Sequence, residues 1–526
     1  MDLAILSSRI FTGDPKAPWA EAVAVRENRI AAVGSNDKVK EVCGKRARIL
    51  ELPGRLVTPG FVDAHAHFVS FGLGFQMVDL QNLTSLAACR ERIQEAVASF
   101  PPGQWVIGRG WDHNKWEGNR EPTRRDLDDI TPHNPVMMVR VCTHSIWVNT
   151  LALEAAHIDG NTPEPEGGRI ERFPDSGNPT GLIREARELI EDHIPEPSLE
   201  ERKAAALLAQ ETALRVGVTG LHSCEGLREW EALSELDREE KLKLRIYHML
   251  QPEDLEEAIT RDIQPGYGSE RLWFGHIKLF ADGSLGSGTA LMHEPYSDDP
   301  SQHGIPFLSP EELKVNIRKA YQCGWDVAVH AIGDKAVTNA LEAIQASRAE
   351  HPGSRRDRIE HVQLFRPQDL SLFQELGVVA SVQPVFVPTD WATADCKWGA
   401  HRCRNAYAWR SLLEAQIPLQ FGSDTPVESI NPLFGLHASV TRQDLRGNPT
   451  GGWCPGQRLT LEEAIAGYTH VAAWTSRRQD HLGKLAPGKW ADLTVFDRDL
   501  TRLSPDEWLE AKVELTIVNG EIVYEM

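Results

Sequence analysis

Phe61-Val62-Asp63-Ala64-His65-Ala66-His67 follows the short apolar run Arg55-Leu56-Val57-Thr58-Pro59-Gly60 and sets two imidazoles two residues apart. On a β-strand, residues i and i+2 point to the same side. His65 and His67 then reach one point in space, which is the geometry a metal ion requires. Taken alone, the pair is equally consistent with two polar residues at a strand end. The rest of the chain decides between these readings.

From residue 60 onward, apolar strand-like runs recur at 60–65, 216–223, 244–250, 276–280, 326–330, 359–362, 378–382 and 418–423. Helical patterns separate most of them, as at 311–322 and 336–350, and a further one at 461–474 follows the last strand. Alternation of this kind predicts an α/β fold with a parallel sheet, and eight such strands predict a (β/α)8 TIM barrel over residues 58–478. The stretch between the first and second strands is far longer than the others. This insertion, about residues 75–200, should emerge at the C-terminal face of the barrel, where active sites are built. It is expected to form a lid or a pocket wall, the alternative being a structural or dimer-forming excursion. Short strands separated by turn residues fill 1–57 and 479–526, including a hairpin turning at Asn519-Gly520. Neither end buries much alone, so the two are expected to join in one small β-sandwich domain.

The bulk numbers narrow the function. The chain has 526 residues, enough for a barrel and an accessory domain, and its net charge of −20 would repel phosphates. No nucleic-acid or membrane partner is therefore expected, and no apolar run approaches the ~18 residues of a membrane span. The start, Met1-Asp2-Leu3-Ala4, has an early acid and no basic region, unlike a secretory signal. Eight scattered cysteines without a CxxC pair read as thiols of a reducing compartment. A cytoplasmic protein acting on a small molecule is expected, as a possible homodimer.

The C-terminal ends of the eight candidate strands carry the chemistry. The first ends in His65 and His67. The fourth carries Lys278, the fifth ends in His330, the sixth in His361 and the eighth in Asp424. A parallel barrel brings these ends to one mouth. Four imidazoles and a carboxylate converging there point to a metal site suited to zinc or a similar divalent ion. Two metals need a bridging ligand. A protonated Lys278 has no lone pair to offer; it either forms a salt bridge or, as a carbamate, supplies two bridging oxygens. Asp424 can ligate a metal and accept a proton from water whose pKa the metals lower towards ~7.

Several further stretches complete the picture: TPGFVDAHAH, GRGWDHNKW, GGRIERFPDSGNPTGLIRE, GVTGLHS, HIKLFADGSLGSGTA, VAVHAIGD, RIEHVQ, SVQPVF, FGSDTPVESINPLFGL and LGKLAPGKWADLTVFDRD. On these the chain resembles the amidohydrolase superfamily and, within it, the YtcJ-like (amidohydrolase family 3) group, over nearly its whole length. The resemblance implies a barrel, a β-sandwich from both termini, and metal ligation by His65, His67, carboxylated Lys278, His330, His361 and Asp424, with Asp424 shuttling the proton. It also implies hydrolysis of amide-type carbon–nitrogen bonds, N-substituted formamides among them. Ester or lactone hydrolysis on the same site and mononuclear deamination are the alternatives. Deaminases of the superfamily place a catalytic Glu after the strand-5 His; here Asp334 stands there and is expected to N-cap the next helix. Trp111, His113 and His144 are candidate substrate contacts, although the family's Gly-His step is replaced by Cys142-Thr143-His144. Asp282 reads as a turn residue or a ligand-approach site, Glu185 as a helix-surface carboxylate, and His222, His248 and His276 as packed histidines.

Overall fold

All eight apolar runs of the central region are strands in the computed structural model, which describes residues 2–44, 47–141, 144–165 and 168–526. They are β1 (Phe61–Ala66), β2 (Val218–Ser223), β3 (Arg245–Leu250), β4 (Leu272–Phe280), β5 (Asp326–Ala331), β6 (Arg358–His361), β7 (Val379–Val382) and β8 (Leu419–Phe421). Each pairs in parallel with its sequence neighbour in one eight-stranded sheet. The ends close on each other: Ala66 and Thr425 form a parallel bridge, and the Asp424 amide donates to the His65 carbonyl at 2.7 Å. The strands are almost continuously buried, as a sheet covered on both faces requires.

The helices between them are amphipathic for a visible reason. In Pro310–Gln322, Leu313, Ile317, Ala320 and Tyr321 recur at helical spacing and are buried, and a Ser309/Glu312 capping box starts the helix. Two expectations fail locally. The pattern over 461–474 is two helices, Leu461–Gly467 and His470–Thr475, because the Tyr468 carbonyl turns out to accept the Val62 amide of β1 at 2.7 Å. Asp334 is the first residue of its helix rather than the N-cap, which is Gly333, and its carboxylate accepts the His293 amide at 2.9 Å.

By internal packing the chain divides into two units, Met1–Phe71 with Ala206–Met526, and Gly72–Ala205. The second holds a six-stranded mixed sheet. One side of that sheet packs Trp111, Trp116 and Trp147 with Cys89 and Ile93 of helix Leu86–Val97; another cluster joins Met137, Ile146 and Ile183 to Ala152 and Leu153. Among the described residues no helix is long and apolar enough to cross a membrane.

The two chain ends share a sheet. Leu493–Phe496 pairs antiparallel with Leu56–Pro59. A hydrophobic cluster joins Leu3, Ile5, Val23 and Val25 of a neighbouring four-stranded sheet to Val57, Leu493, Val495 and Ile517. The hairpin turn at Asn519-Gly520 takes the positive φ values, 55° and 76°, that this dipeptide favours. The terminal strands are tied to the barrel by a buried ion pair: Arg245 of β3 donates twice to Asp492, at 2.6 and 3.2 Å, and stacks over Trp490. Removing one partner of such a pair leaves a buried, uncompensated charge. Asp492→Ala should therefore lower unfolding free energy by about 3–5 kcal/mol in denaturant titrations; a change under 1 kcal/mol would show that the pair is dispensable.

Candidate metal centre

Alternation along the barrel strands sends Asp63 and His65 of β1, Lys278 of β4 and Glu360 of β6 to the inside. The six residues at the strand ends line one cavity of about 480 Å³, together with Phe280, Phe386, Gln363, Thr389, Asp390 and Glu428. His67 Nε2 lies 3.2 Å and His65 Nε2 3.4 Å from the same Asp424 oxygen, and the Lys278 amine is 3.4 Å from His65 Nε2. The imidazole of His361 is 4.9 Å from that of His65 and 4.5 Å from that of His330, centre to centre. His361 follows the inward Glu360 and would by alternation face away. Positive φ at His361 (74°) and Val362 (44°) turns it back to the mouth, a conformation a β-branched residue adopts only under constraint. Close approach also explains Gly422: a Cβ there would stand 2.5 Å from the His65 amide nitrogen.

The outer nitrogen of three imidazoles is engaged. His65 Nδ1 donates to Glu360 at 2.6 Å, His330 Nε2 to the Gly283 carbonyl at 2.9 Å and His361 Nδ1 to Gln383 Oε1 at 2.8 Å. An acceptor at one ring nitrogen fixes the N–H there and leaves the other as a lone pair, the arrangement metal-ligating histidines show. Burial drives His65 and His361 well below the ordinary histidine range and His330 to about 4, so all three are neutral. Burial pushes Asp424 up, but its contacts with His65, His67 and Lys278 outweigh it and hold the carboxyl below its usual range. The lone pairs of three neutral imidazoles and an anionic oxygen thus face one cavity. His65, His67 and Asp424 each place a donor atom within 4.8 Å of the others. Such a set fits a divalent cation.

Three supporting residues, Arg358, Glu360 and Asp63, escaped the sequence reading. Glu360 is fully buried and ion-paired with Arg358, whose guanidinium also reaches His222 Nδ1 (2.7 Å) and the Ala64 carbonyl (3.0 Å). Against burial, Arg358 and then Lys278 hold the Glu360 carboxyl below its usual range. Asp63 accepts the amides of His65 and Ser423 and the Ser423 hydroxyl, stapling β1 to the Asp424 loop. A carboxylate two residues before the first His, in an otherwise apolar strand, was the available signal. Asp282 accepts three amides, of Leu291, Ile332 and Gly333, and organises the loop after β4.

The remaining candidates belong to the Gly72–Ala205 unit. Trp111 is buried in its core, with the indole N–H on the Met138 carbonyl at 2.8 Å. His113 lies near Glu121 at 3.7 Å, and burial, then Arg140, lower its pKa. His144 is exposed and pairs with Glu185 at 2.9 Å, while Cys142 and Thr143 lie outside the described residues. Glu185 follows the strand Pro179–Arg184 instead of lying on a helix. His222 and His276 are packed inside the barrel, on Arg358 and Tyr247, and His248 packs on the other face of its strand, against Trp230 and the Gly226 carbonyl.

Comparison with known proteins adds four findings. The model of the amidohydrolase family matches residues 48–524. YtcJ of Bacillus subtilis is 34% identical over 98% of both chains, and the N-substituted formamide deformylase of Arthrobacter pascens 29% identical over 100% of this chain and 98% of its own. A crystal structure described as an uncharacterized metal-dependent hydrolase from Pyrococcus furiosus superposes with a TM-score of 0.81 at 31% identity, covering 96% of this chain and 100% of that one.

Because Glu360 orients His65 and sharpens its basicity, Glu360→Gln should weaken divalent-metal affinity by about 10–100-fold. Competition with a chromogenic chelator measures this; unchanged affinity in a folded variant would remove Glu360 from the site.

Proposed function

This chain belongs to the amidohydrolase family, and on that premise we propose that it is a metal-dependent hydrolase cleaving an amide-type carbon–nitrogen bond of a small molecule. The observation that carries the proposal is the meeting of the half-buried His67 with the buried His65 and Asp424, each placing a donor atom at one point of the cavity. In this reading His65 and His67 hold one divalent ion, zinc by ligand type, and His330 and His361 hold a second. Lys278, as a carbamate, would supply carboxylate oxygens to hold them. Its amine is buried, and among the described residues no carboxylate lies within ion-pair distance of it. A salt-bridged ammonium would have such a partner.

Bound divalent ions supply Lewis acidity, polarising a carbonyl oxygen and acidifying water. The protein's own groups do the rest. Asp424, kept ionised, takes a proton from the attacking water on a carboxylate oxygen and passes it to the departing nitrogen, which leaves as an amine. Glu360 and Gln383 keep His65 and His361 from rotating. Phe280 and Phe386 line the cavity and limit water around the scissile bond. The choice of an amide bond is supported by the deformylase relative, similar along its whole length. We also read the two paired terminal sheets as a small β-sandwich.

Asp424→Asn should keep fold and much of the metal while lowering kcat on an N-formyl or N-acyl amine by ~10²-fold or more. Chelation should abolish turnover and added divalent ion restore it. Turnover retained in the Asn variant would overturn the assignment of the proton shuttle.

A further inference from the structure

Beyond the six residues of the metal centre, the cavity wall is unevenly charged. Helix Val387–Arg402 and the loop after β8 contribute Asp390 and Glu428, and β6 is followed by Gln363. No arginine lines the cavity, and Lys278 is its one ammonium group among the described residues. Asp390 accepts the Tyr407 hydroxyl at 2.5 Å and Glu428 the Thr389 hydroxyl at 2.7 Å. Neither is ion-paired to a lysine, arginine or histidine among the described residues. Gln363 is only 3% exposed, and its Oε1 is buried with no hydrogen-bond partner. A buried acceptor without a donor is destabilising, a cost that a ligand donor removes.

From these groups we propose that the substrate carries a cationic nitrogen group, an ammonium or guanidinium, received by Asp390, Glu428 and Gln363 in the cavity that also holds the metal centre. The proposal rests on the hydrolase reading above and gives it a substrate class: a small amide whose remainder is positively charged, in preference to N-acyl compounds bearing a free carboxylate. Three features fit such a group together. Asp390 and Glu428 supply negative charge and Gln363 a carbonyl, so every recognised atom of the ligand is a donor. Phe386 precedes Asp390 by four residues and shares its side of the chain turn, and it lines the cavity with Phe280; aromatic faces attract cations. Burial raises both carboxyls above the usual range, and the Asp390 charge adds to the shift at Glu428. Two carboxylates held close without a counter-ion are the state that a bound cation relieves. At its outer wall an anionic group would meet Asp390 and Glu428 with no arginine to receive it.

Calorimetric titration of the metal-loaded protein with butylguanidinium and with butylurea tests this. The two probes share shape and length and differ in charge, and the guanidinium has no lone pair for a metal. The expected result is at least tenfold tighter binding of butylguanidinium, with that preference lost in Glu428→Gln and reduced in Asp390→Asn. Metal content and melting temperature of each variant establish that it is folded. Should either variant fail to fold, raising the salt concentration on wild-type protein gives the same decision: the preference must shrink as salt screens it. Equal or tighter binding of butylurea, or a preference untouched by Glu428→Gln, would overturn the proposal. Since the titration needs no turnover, its failure is separate from that of the hydrolase reading, which would show as wild-type protein that cleaves no amide.

Discussion

A charge buried inside the barrel sets the terms for everything at its mouth. Arg358 is fully enclosed, and its guanidinium is divided among Glu360, His222, the Ala64 carbonyl and Met249 Sδ. Burying an ion pair is costly unless further hydrogen bonds support it, and here the two Arg358 Nη atoms donate to His222 and Ala64 while Glu360 accepts from His65. What the arrangement secures is an ionised Glu360 where an isolated carboxyl would be neutral. That carboxylate fixes the proton of His65 on Nδ1, and the Nε2 lone pair faces Asp424 and Lys278 as a consequence. The interior of this barrel is therefore partly polar by necessity: His222, Arg358 and Glu360 form one connected network beneath the site.

The eight barrel strands were legible because a sheet buried on both faces leaves near-continuous apolar runs, and the six residues at their ends were legible because parallel strands must deliver them to one rim. The pairing of His65 with Glu360 was not, since it spans 295 residues and no local pattern marks it. Nor was the inward turn of His361, which rests on positive φ at His361 and Val362 against the preference of a β-branched residue. The break between Leu461–Gly467 and His470–Thr475 has a similar origin: the helical period runs through it, and a backbone bond from Val62 decides otherwise. Trp111 illustrates the reverse case, an aromatic residue in a motif-like stretch whose place is the core of the Gly72–Ala205 unit.

The constraints on the cavity form a sequence. Asp63 and Ser423 hold the Asp424 loop against β1, Gly422 allows that approach, and Asp282 gathers the loop after β4 through three backbone amides. These contacts leave little freedom at the metal-centre side of the cavity. The other contributors are held by few contacts, Asp390 by the Tyr407 hydroxyl and Glu428 by the Thr389 hydroxyl and the Ser429 backbone. On the proposed reading, chemistry is fixed on the rigid part and substrate choice on the part that sequence change can alter at small cost to folding.

The central claim is that six side chains at the barrel mouth form a divalent-metal centre. Anomalous diffraction from crystals of the protein grown with zinc tests it most directly. The account predicts a peak within about 2.0–2.2 Å of the ring nitrogens of His65 and His67 and of an Asp424 oxygen, a second peak beside His330 and His361, and electron density extending the Lys278 amine by a carboxyl group between them. Zinc-replete crystals with no anomalous peak among these residues would contradict it.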